Sequence, residues 1–446
     1  MSKSRAETIL RNFHENEDFF RTTAKSNIEL YRKGRGEITV TDKDGKPFSG
    51  VKIKYRLKNH EFKFGANLFM LDELETEEKN KAYKTSFKKL FNLATLPFYW
   101  DAIEPERGKT RYEIGSEKIY RRPAPDLCLK YCQKNGIEPK LHCLNYDNFI
   151  PEWLKDKPIA EIKKEYVRRF REISARYGDI IPTMEVTNEL LCSSDATRSD
   201  FFFADDNAEW SYRTADSIFP NTKLIINEAP VWDYLYADTN RNPYYMQIEN
   251  LLQKNLRIDS IGMQYHSFWK REDEEKIANT RYNPEFVYRL LDKFSQLDRP
   301  LQITEMTIPA YSDSEEDENV QAEILKYVYI MFFAHPAMEA VIYWNLPDGY
   351  AAWAPRGDMK TGENYFRAGL LRFDLSEKPA YKMLDKLINH DWHTEDASET
   401  AADGTAKIRG FYGDYELIIE KDGKEIKTEA AIRKNGVNRY TFKFTE

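Results

Sequence analysis

Short apolar runs alternate with amphipathic stretches throughout residues 61–390. The candidate strands are rich in β-branched and aromatic residues and lie at 61–68, 91–96, 139–144, 183–189, 223–228, 260–266, 301–306 and 340–346. The stretches between them have helical period, as in 159–176 and 319–334. Strands that are apolar on both faces and separated by helices indicate a parallel sheet, and eight such units predict an α/β fold, a closed (β/α)8 TIM barrel.

The chain of 446 residues is longer than the barrel needs. We therefore predict a catalytic barrel at 61–395, an N-terminal segment at 1–60 and a C-terminal β segment at 396–446. Residues 4–33 have the pattern of one charged helix, and two alternating strands then flank Asp44-Gly45, a hairpin-type turn. The two ends of the chain are expected to pair into one small accessory β module, for which a structural role is favoured over carbohydrate binding.

Two of the predicted strands carry a glutamate at or near their C-terminal end. Glu189 follows Asn188 at the end of 183–189, and Glu305 lies near the end of 301–306. In such barrels the chemistry takes place at the C-terminal ends of the strands. Cleavage of a sugar acetal requires one acid that protonates the leaving oxygen and one carboxylate that meets the cationic anomeric carbon. The pair therefore predicts cleavage of a glycosidic bond.

Composition and charge exclude several other classes of function. Aromatic residues make up 14% of the chain, which suits both sugar stacking and core packing. The net charge is −7 with acids and bases interspersed, so we predict neither a nucleic-acid partner nor a membrane partner. The phosphate-binding motifs GxGxxG and GxxxxGK[ST] do not occur. The acidic run 312–318 is interpreted as a solvated surface loop that leads into a helix, in preference to a calcium site.

The cysteines and the N-terminus bear on metal binding and on cellular location. The four cysteines lack CxxC spacing, and Cys128 and Cys132 lie four residues apart in a helical pattern, which favours core packing over zinc binding. No cofactor and no metal site is predicted. The first ten residues lack the apolar stretch of a secretory signal. The expected location is cytoplasmic, or secreted with the leader removed, and the sequence does not separate these two.

Several ordered segments resemble glycoside hydrolase family 10, the family of endo-1,4-β-xylanases, over roughly residues 60–392. The similar segments are 91–95 (FNLAT), 100–108 (WDAIEPERG), 186–189 (VTNE), 223–228 (KLIINE), 258–266 (IDSIGMQYH), 303–305 (ITE) and 378–381 (KPAY). The Asn-Glu and the second Glu are shared by a wider clan of retaining glycosidases. The EPERG and IDSIGMQYH segments narrow the resemblance to this family.

The resemblance implies a role for individual residues. Glu189 matches the general acid/base, and Glu305 matches the nucleophile that forms a covalent glycosyl-enzyme, with the two carboxyl groups about 5–5.5 Å apart. Asn188 matches the group that hydrogen-bonds the sugar 2-hydroxyl. The remaining matches are His266, which orients the nucleophile; Gln264, near the acid/base; and Trp344 and Trp353, aromatic walls of the cleft. The implied partner is a carbohydrate substrate with β-1,4-xylosidic or related linkages.

The sequence departs from the family pattern on the second and third strands. Where the family usually has Glu-Asn-x-x-Lys-Trp, residues 95–100 read TLPFYW, with Tyr99 in place of the lysine. The usual Trp-His pair of the third strand is replaced by Tyr146-Asp147, and only the upstream His142 remains. We expect four residues at the subsites that bind the sugar before the cleavage point: Tyr99, His142, Tyr146 and Asp147. Asp147 is hypothesised to receive hydroxyls of a decorated or differently linked sugar.

Three functions are compatible with these observations. The first is a retaining glycosidase that acts on xylan-like polysaccharide or oligosaccharide of plants or microbes. The second uses the same mechanism on a different β-linked glycan or in exo mode. The third is a catalytically inactive carbohydrate-binding protein, a class that generally lacks one of the two carboxylates, whereas both are present here.

Overall fold

Eight parallel strands close into a barrel in the computed structural model, which describes residues 4–192 and 198–444. The strands are, in chain order, β1 (Lys33–Thr41), β2 (Lys52–His60), β3 (Lys63–Asn67), β4 (Leu93–Pro97), β5 (Glu138–His142), β6 (Thr183–Asn188), β7 (Lys223–Glu228), β8 (Ser260–His266), β9 (Leu301–Thr307), β10 (Met338–Tyr343), β11 (Glu395–Glu399), β12 (Thr405–Phe411), β13 (Gly413–Lys421), β14 (Lys424–Ile432) and β15 (Arg439–Lys443). Strands β3 to β10 form the barrel, and β10 closes it by pairing with β3.

Helices cover the barrel between successive strands, and others precede β1 or follow β10. They are α1 (Arg5–Ile9), α2 (Arg11–Glu15), α3 (Lys25–Tyr31), α4 (Glu77–Leu90), α5 (Trp100–Ile103), α6 (Pro125–Asn135), α7 (Glu152–Lys155), α8 (Ile159–Tyr177), α9 (Asn207–Ile218), α10 (Pro243–Gln253), α11 (Glu274–Ala278), α12 (Pro284–Ser295), α13 (Glu315–Ala334) and α14 (Pro379–Lys386). Among the described residues, no helix combines the length and the apolar character needed to span a membrane.

The predicted barrel is confirmed, and burial explains why the sequence revealed it. All residues of β4, β6 and β9 are buried, because the interior side chains face one another and the outer side chains face the helices. In α8 the residues Ile162, Tyr166, Phe170 and Ile173 form the buried stripe. Cys128 and Cys132 are buried on α6 as small core residues.

The N-terminal segment differs from the predicted single helix. It consists of α1, α2, a π-helical turn at Phe19–Ala24 and α3. Phe13 and Phe20 both pack on Tyr327 of α13, each with ring centroids 4.7 Å apart. The breaks let the segment follow the barrel surface, so tertiary packing overrides the helical pattern.

The acidic run 312–318 leads into a helix as expected, but Asp317 and Glu318 are buried and not solvated. α13 begins inside it, with the Ser314 side chain accepting a hydrogen bond from the backbone of Asp317. Asp317 is buried and forms ion pairs with Arg5 and Arg271. The run therefore contributes to the attachment of the N-terminal segment.

The two ends of the chain pair as expected, but they form two sheets and not one. The first sheet has the order β12-β1-β15 and the second the order β11-β2-β13-β14. A tight turn does form around Asp44-Gly45, closed by the Thr41–Pro47 bridge and by backbone hydrogen bonds such as Asp42 N–H to the Lys46 carbonyl at 2.8 Å. The predicted pairing of the two flanking strands as a hairpin is wrong, because β1 and β2 lie in different sheets. Alternate residues of both strands enter the hydrophobic core, so the connection carries the chain from one sheet to the other.

The β module joins the barrel at the N-terminal ends of its strands, since β2 leads directly into β3. Trp392 stacks on Phe333 with ring centroids 4.2 Å apart and on Phe64 at 5.6 Å. Catalytic chemistry in such barrels takes place at the opposite end. The module is therefore placed as a cap on the barrel floor.

Candidate active site

A cavity of about 1110 Å³ opens at the C-terminal ends of the barrel strands. It is lined by ten of the residues that the sequence singled out: Tyr99, His142, Tyr146, Asn188, Glu189, Gln264, His266, Glu305, Trp344 and Trp353. These residues come from distant parts of the chain and meet because parallel strands end on the same side of the barrel. The cavity is therefore the candidate active site.

Glu189 lies immediately after β6 and is held by two hydrogen bonds. Its Oε1 accepts one from Gln264 Nε2 at 2.9 Å, and its Oε2 accepts one from the Tyr146 hydroxyl at 2.5 Å. The backbone at Glu189 is left-handed, with φ of 56°. A non-glycine residue adopts that conformation at a cost, and the surrounding contacts hold it. One carboxylate is thus oriented by partners from β8 and from the loop after β5.

Glu305 lies in β9 and has a partner on each oxygen. Asn227 Nδ2 donates to Oε1 at 3.0 Å, and His266 Nε2 lies 3.0 Å from Oε2. Burial lowers the pKa of His266 to about 4, so the ring is neutral at physiological pH. The Thr307 hydroxyl lies 2.8 Å from Nδ1. When it donates to Nδ1, the ring proton is on Nε2 and is donated to Glu305.

Amide side chains connect the two carboxylates. Asn188 Oδ1 accepts from Asn227 at 2.7 Å and from Gln264 at 3.3 Å. Those two amides also donate to Glu305 and Glu189, respectively. Within the described chain the Asn188 Nδ2 group has no hydrogen-bond partner, so it is available to donate to a ligand in the cavity.

A buried ion network lies beneath Glu305. The side chains of Lys140 and His142 both contact the Glu185 carboxylate, and Lys140 and Glu185 are 0% exposed. Burial raises the pKa of Glu185, but the charges of Lys140 and His142 outweigh it and bring that pKa to about 2. Burial lowers the pKa of His142 and Glu185 raises it, with a net upward shift. His142 Nδ1 also lies 4.0 Å from Glu305 Oε1.

The charges of this network shift the pKa of Glu305 in opposite directions. The pKa of Glu305 is raised to about 8: burial is the largest cause, the negative charges of Glu185 and Glu189 add to the rise, and the positive charges of His142 and Lys140 oppose it. The groups of His142, Glu185 and Glu305 lie close enough to offer ligands to a metal ion. However, Lys140 already pairs with Glu185, and its positive charge disfavours a second cation there.

Tyr99 and Tyr146 occupy the positions where the sequence departs from the family pattern. The Tyr99 hydroxyl lies 3.1 Å from His142 Nε2, and its ring packs on Phe149 with centroids 4.3 Å apart. Tyr146 bonds Glu189 directly, as described above. Trp344 is buried, and its ring meets Phe69 edge-on at 5.2 Å. Trp353 is 76% exposed at the mouth and offers an open aromatic face.

The structure does not bring Asp147 to the cavity. Its carboxylate is 1% exposed and accepts hydrogen bonds from the Ser199 backbone at 2.8 Å and from the Ser199 hydroxyl at 2.5 Å. A 3-10 turn at Asp147–Phe149 directs Tyr146 and Phe149 into the cavity and Asp147 away from it. The expected contact between Asp147 and a sugar is therefore corrected to a buried bond that anchors a loop.

Several residues of the site were missed in the sequence. They are Asn227, Lys140, Glu185, Arg121, Arg122, Phe149, Tyr234, Trp269 and Glu363. Asn227, Lys140 and Glu185 are polar residues inside predicted strands, and that signal could have identified them. Arg121 and Arg122 lie in the long connection between α5 and α6, where no spacing indicates their direction.

The sequence model of the family described as "Glycosyl hydrolase family 10" matches residues 55–387. A protein of Acetivibrio thermocellus named anti-sigma-I factor RsgI6 is 24% identical over 409 residues, which are 90% of this chain and 47% of that protein. Endo-1,4-beta-xylanase 1 of Arabidopsis thaliana is 23% identical over 422 residues, 91% of this chain and 38% of that protein. The chain thus spans less than half the length of these two relatives.

Other relatives are shorter. Endo-1,4-beta-xylanase B of Thermotoga neapolitana is 24% identical over 341 residues, 73% of this chain and 87% of that protein. Among solved structures, native xylanase 10B of Thermotoga maritima superposes with a TM-score of 0.58 at 22% identity. The superposition covers 74% of this chain and 96% of that one, and it supports the barrel fold.

Proposed function

Because the chain belongs to glycosyl hydrolase family 10, we propose that it is a retaining glycoside hydrolase that cleaves β-1,4-xylosidic or related β-glycosidic bonds. One observation carries the proposal: Glu189 and Glu305 face the same cavity and are linked through the amides of Gln264, Asn188 and Asn227. Such a pair has the two functions that double displacement requires, an acid and a nucleophile.

In the first step Glu189 donates its proton to the glycosidic oxygen while Glu305 attacks the anomeric carbon. The bond to the leaving sugar breaks, and an ester between the anomeric carbon and Glu305 forms. The donors from Asn227 and His266 hold the attacking carboxylate in place. The Asn188 Nδ2 group donates to the hydroxyl next to the anomeric carbon.

In the second step Glu189 acts as a base. It takes a proton from water, the water oxygen attacks the anomeric carbon, and the ester bond to Glu305 breaks. Two inversions give a product with the configuration of the substrate. The mechanism requires a separation of about 5–5.5 Å between the two carboxyl groups.

Relatives named as xylanases favour xylan or its oligosaccharides as the substrate. Tyr99 and Tyr146 change the hydrogen-bonding groups on the side of the cavity next to Glu305 and Glu189. A site built from different donors selects a different hydroxyl pattern. A related β-linked glycan, or exo cleavage, is therefore the second candidate, and a panel of defined oligosaccharides distinguishes the two through the products.

The proposal is tested with single carboxylate variants on that panel. Glu305→Gln and Glu189→Gln remove one functional group each, and Glu249→Gln on the exposed face of α10 is the matched control. We expect Glu305→Gln to lose at least about 10³-fold in kcat/KM and the control to keep full activity. Proton NMR of the wild-type reaction should show the β anomer first. An α anomer first, or an active Glu305→Gln, would refute the mechanism.

A catalytically inactive carbohydrate-binding protein would behave differently in the same experiment. It would bind oligosaccharides with measurable heat and release no product, and Glu305→Gln would bind them as wild type does. The presence of both carboxylates, each with two oriented partners, argues for catalysis.

A further inference from the structure

Two consecutive arginines line the cavity on the side of Tyr99. Arg121 is buried, and its Nη1 donates to Asn345 Oδ1 at 3.1 Å and to the carbonyl of Tyr350. Its Nε is buried without a hydrogen-bond partner. Arg122 donates from Nη1 to the carbonyl of Arg121 at 3.0 Å. The remaining donors of both guanidinium groups have no partner in the part of the chain that is described.

Neither arginine forms a hydrogen bond or an ion pair with an acidic side chain among the described residues. This differs from Arg281, a third arginine of the cavity, which donates to both carboxylate oxygens of Asp233 at 2.8 Å. Asp101 interacts with Arg122 through its charge, but its hydrogen bond and that of Glu363 go to other groups. Asp101 accepts from the backbone of Ala102 at 2.6 Å, and Glu363 accepts from Asn345 at 3.1 Å. The pair thus brings two positive charges to the cavity wall without an ion-pair partner among the described residues, and the charge of Asp101 offsets that of Arg122 only in part.

Aromatic rings fix the position of both guanidinium groups. Arg122 lies 3.7 Å above the centroid of the Tyr99 ring, and both arginines lie 5.6 Å from the centroid of the Phe69 ring. Burial is the largest cause of the lowered pKa of Arg122; the charge of Arg121 adds to that shift, and Tyr99, Asp101 and Tyr146 oppose it. Arg121 is buried and Arg122 partly exposed, and holding two like charges together in such a partly desolvated place is unfavourable, a cost that a bound anion would relieve. A planar guanidinium matches the two oxygens of a carboxylate.

Contacts through Tyr99 and His142 show where Arg122 lies relative to the proposed cleavage point. The Tyr99 hydroxyl contacts His142, which in turn lies 4.0 Å from Glu305. Arg122 therefore lies on the side of the nucleophile, where the glycone sugar binds if the proposed function holds. The family pattern has a lysine at the position of Tyr99. Here the positive charge is instead supplied by a different segment of the chain.

We propose that Arg121 and Arg122 form an anion-binding subsite for a sugar residue that carries a carboxylate, so that the preferred substrate is a glycan containing uronic acid. The subsite deepens the proposed function, on which it rests, by assigning the substrate class of the same cavity. Neutral glycans fit the catalytic residues but leave both guanidinium groups without an ionic partner.

The test compares two forms of one substrate. β-1,4-Xylo-oligosaccharides that carry glucuronic acid are used directly, and a second portion is used after reduction of the carboxyl group to an alcohol. We expect wild type to favour the acidic form by about tenfold or more in kcat/KM, as a charge-assisted hydrogen bond provides. In Arg122→Gln and Arg121→Gln that ratio should fall towards one. Arg439→Gln, in β15 of the distant module, should keep the wild-type ratio.

A binding measurement separates failure of this inference from failure of the proposed function. Because wild type is expected to cleave both ligands, calorimetry uses the Glu305→Gln variant and should show tighter binding of the acidic form by about tenfold, weakening as salt is added. A protein that releases no product but keeps this preference would refute the proposed function and support the subsite. Equal kcat/KM and equal affinity for both forms would overturn the subsite. Neither comparison of the two ligands uses an arginine variant, so both hold even if an arginine variant fails to fold.

Discussion

The buried ion network beneath Glu305 makes a quantitative prediction about stability. Lys140→Met keeps the length and the apolar stem of the side chain and removes only the ammonium group. Glu185 then remains fully buried without its main ionic partner. Loss of one member of a buried ion pair typically costs about 3–5 kcal/mol. Because His142 still contacts Glu185, we expect a cost at the lower end, about 3 kcal/mol at pH 7.

The pH dependence of that cost has a definite sign. The pKa of Glu185 is about 2 in the folded protein, below its ordinary value of 4.5. A carboxyl with a lowered pKa stabilises the folded state above pH 4.5, and that contribution is lost as pH falls towards 2. Lys140→Met removes most of this contribution. The difference in unfolding free energy between wild type and variant should therefore shrink between pH 7 and pH 3.

Urea unfolding followed by tryptophan fluorescence measures the effect. The double variant Lys140→Met with Glu185→Gln removes both charges and should recover at least half of the lost free energy, because no uncompensated charge remains. A loss below about 1 kcal/mol for the single variant, or an equal loss at pH 7 and pH 3, would show that the pair does not act as described.

Three further predictions concern the site itself. Glu305 attacks only when ionised, and its pKa is raised to about 8, so kcat/KM should rise with pH through a group whose pKa is well above 4.5. Lys140→Met should move this rise in kcat/KM to still higher pH. A rise at the same pH in the variant would exclude Lys140 from the control of the Glu305 pKa. The Tyr146 hydroxyl orients Glu189, so Tyr146→Phe should lower kcat/KM about tenfold on natural glycosides. On a dinitrophenyl glycoside, whose leaving group needs no acid, the loss should be less than about threefold. Equal losses on both substrates would contradict this role. The Asp147 carboxylate accepts hydrogen bonds from Ser199, so Asp147→Ala should lower the unfolding free energy by about 1–3 kcal/mol and leave KM unchanged. A raised KM with unchanged stability would instead support a contact between Asp147 and the sugar.

The barrel was predictable because its strands are buried on both faces, which leaves short apolar runs such as 340–344 (AVIYW). The N-terminal helix and the hairpin at Asp44-Gly45 were mispredicted for a shared reason. Their local patterns are correct over a few residues, but distant partners decide the outcome: Tyr327 for the first and strands β12 and β13 for the second.

The residues of the site also fall into a predictable and an unpredictable group. Residues on strand ends, such as Glu305 and His266, were predictable because the barrel fixes where strand ends meet. Asp147 was misplaced because a single 3-10 turn decides which side chain faces the cavity. Arg122 was missed because it reaches the cavity from a long connection whose direction depends on packing against Tyr99 and Phe69.

Trapping of the glycosyl-enzyme tests the central claim most directly. A 2-deoxy-2-fluoro glycoside with a dinitrophenyl leaving group, built on the sugar that the oligosaccharide panel identifies, slows the second step and lets the ester accumulate. Peptide mass spectrometry should find one sugar attached to the peptide that carries Glu305, with release of one equivalent of dinitrophenol. A sugar attached to a different residue, or steady turnover of natural substrate with no trapped ester, would contradict the assignment of Glu305 as the nucleophile.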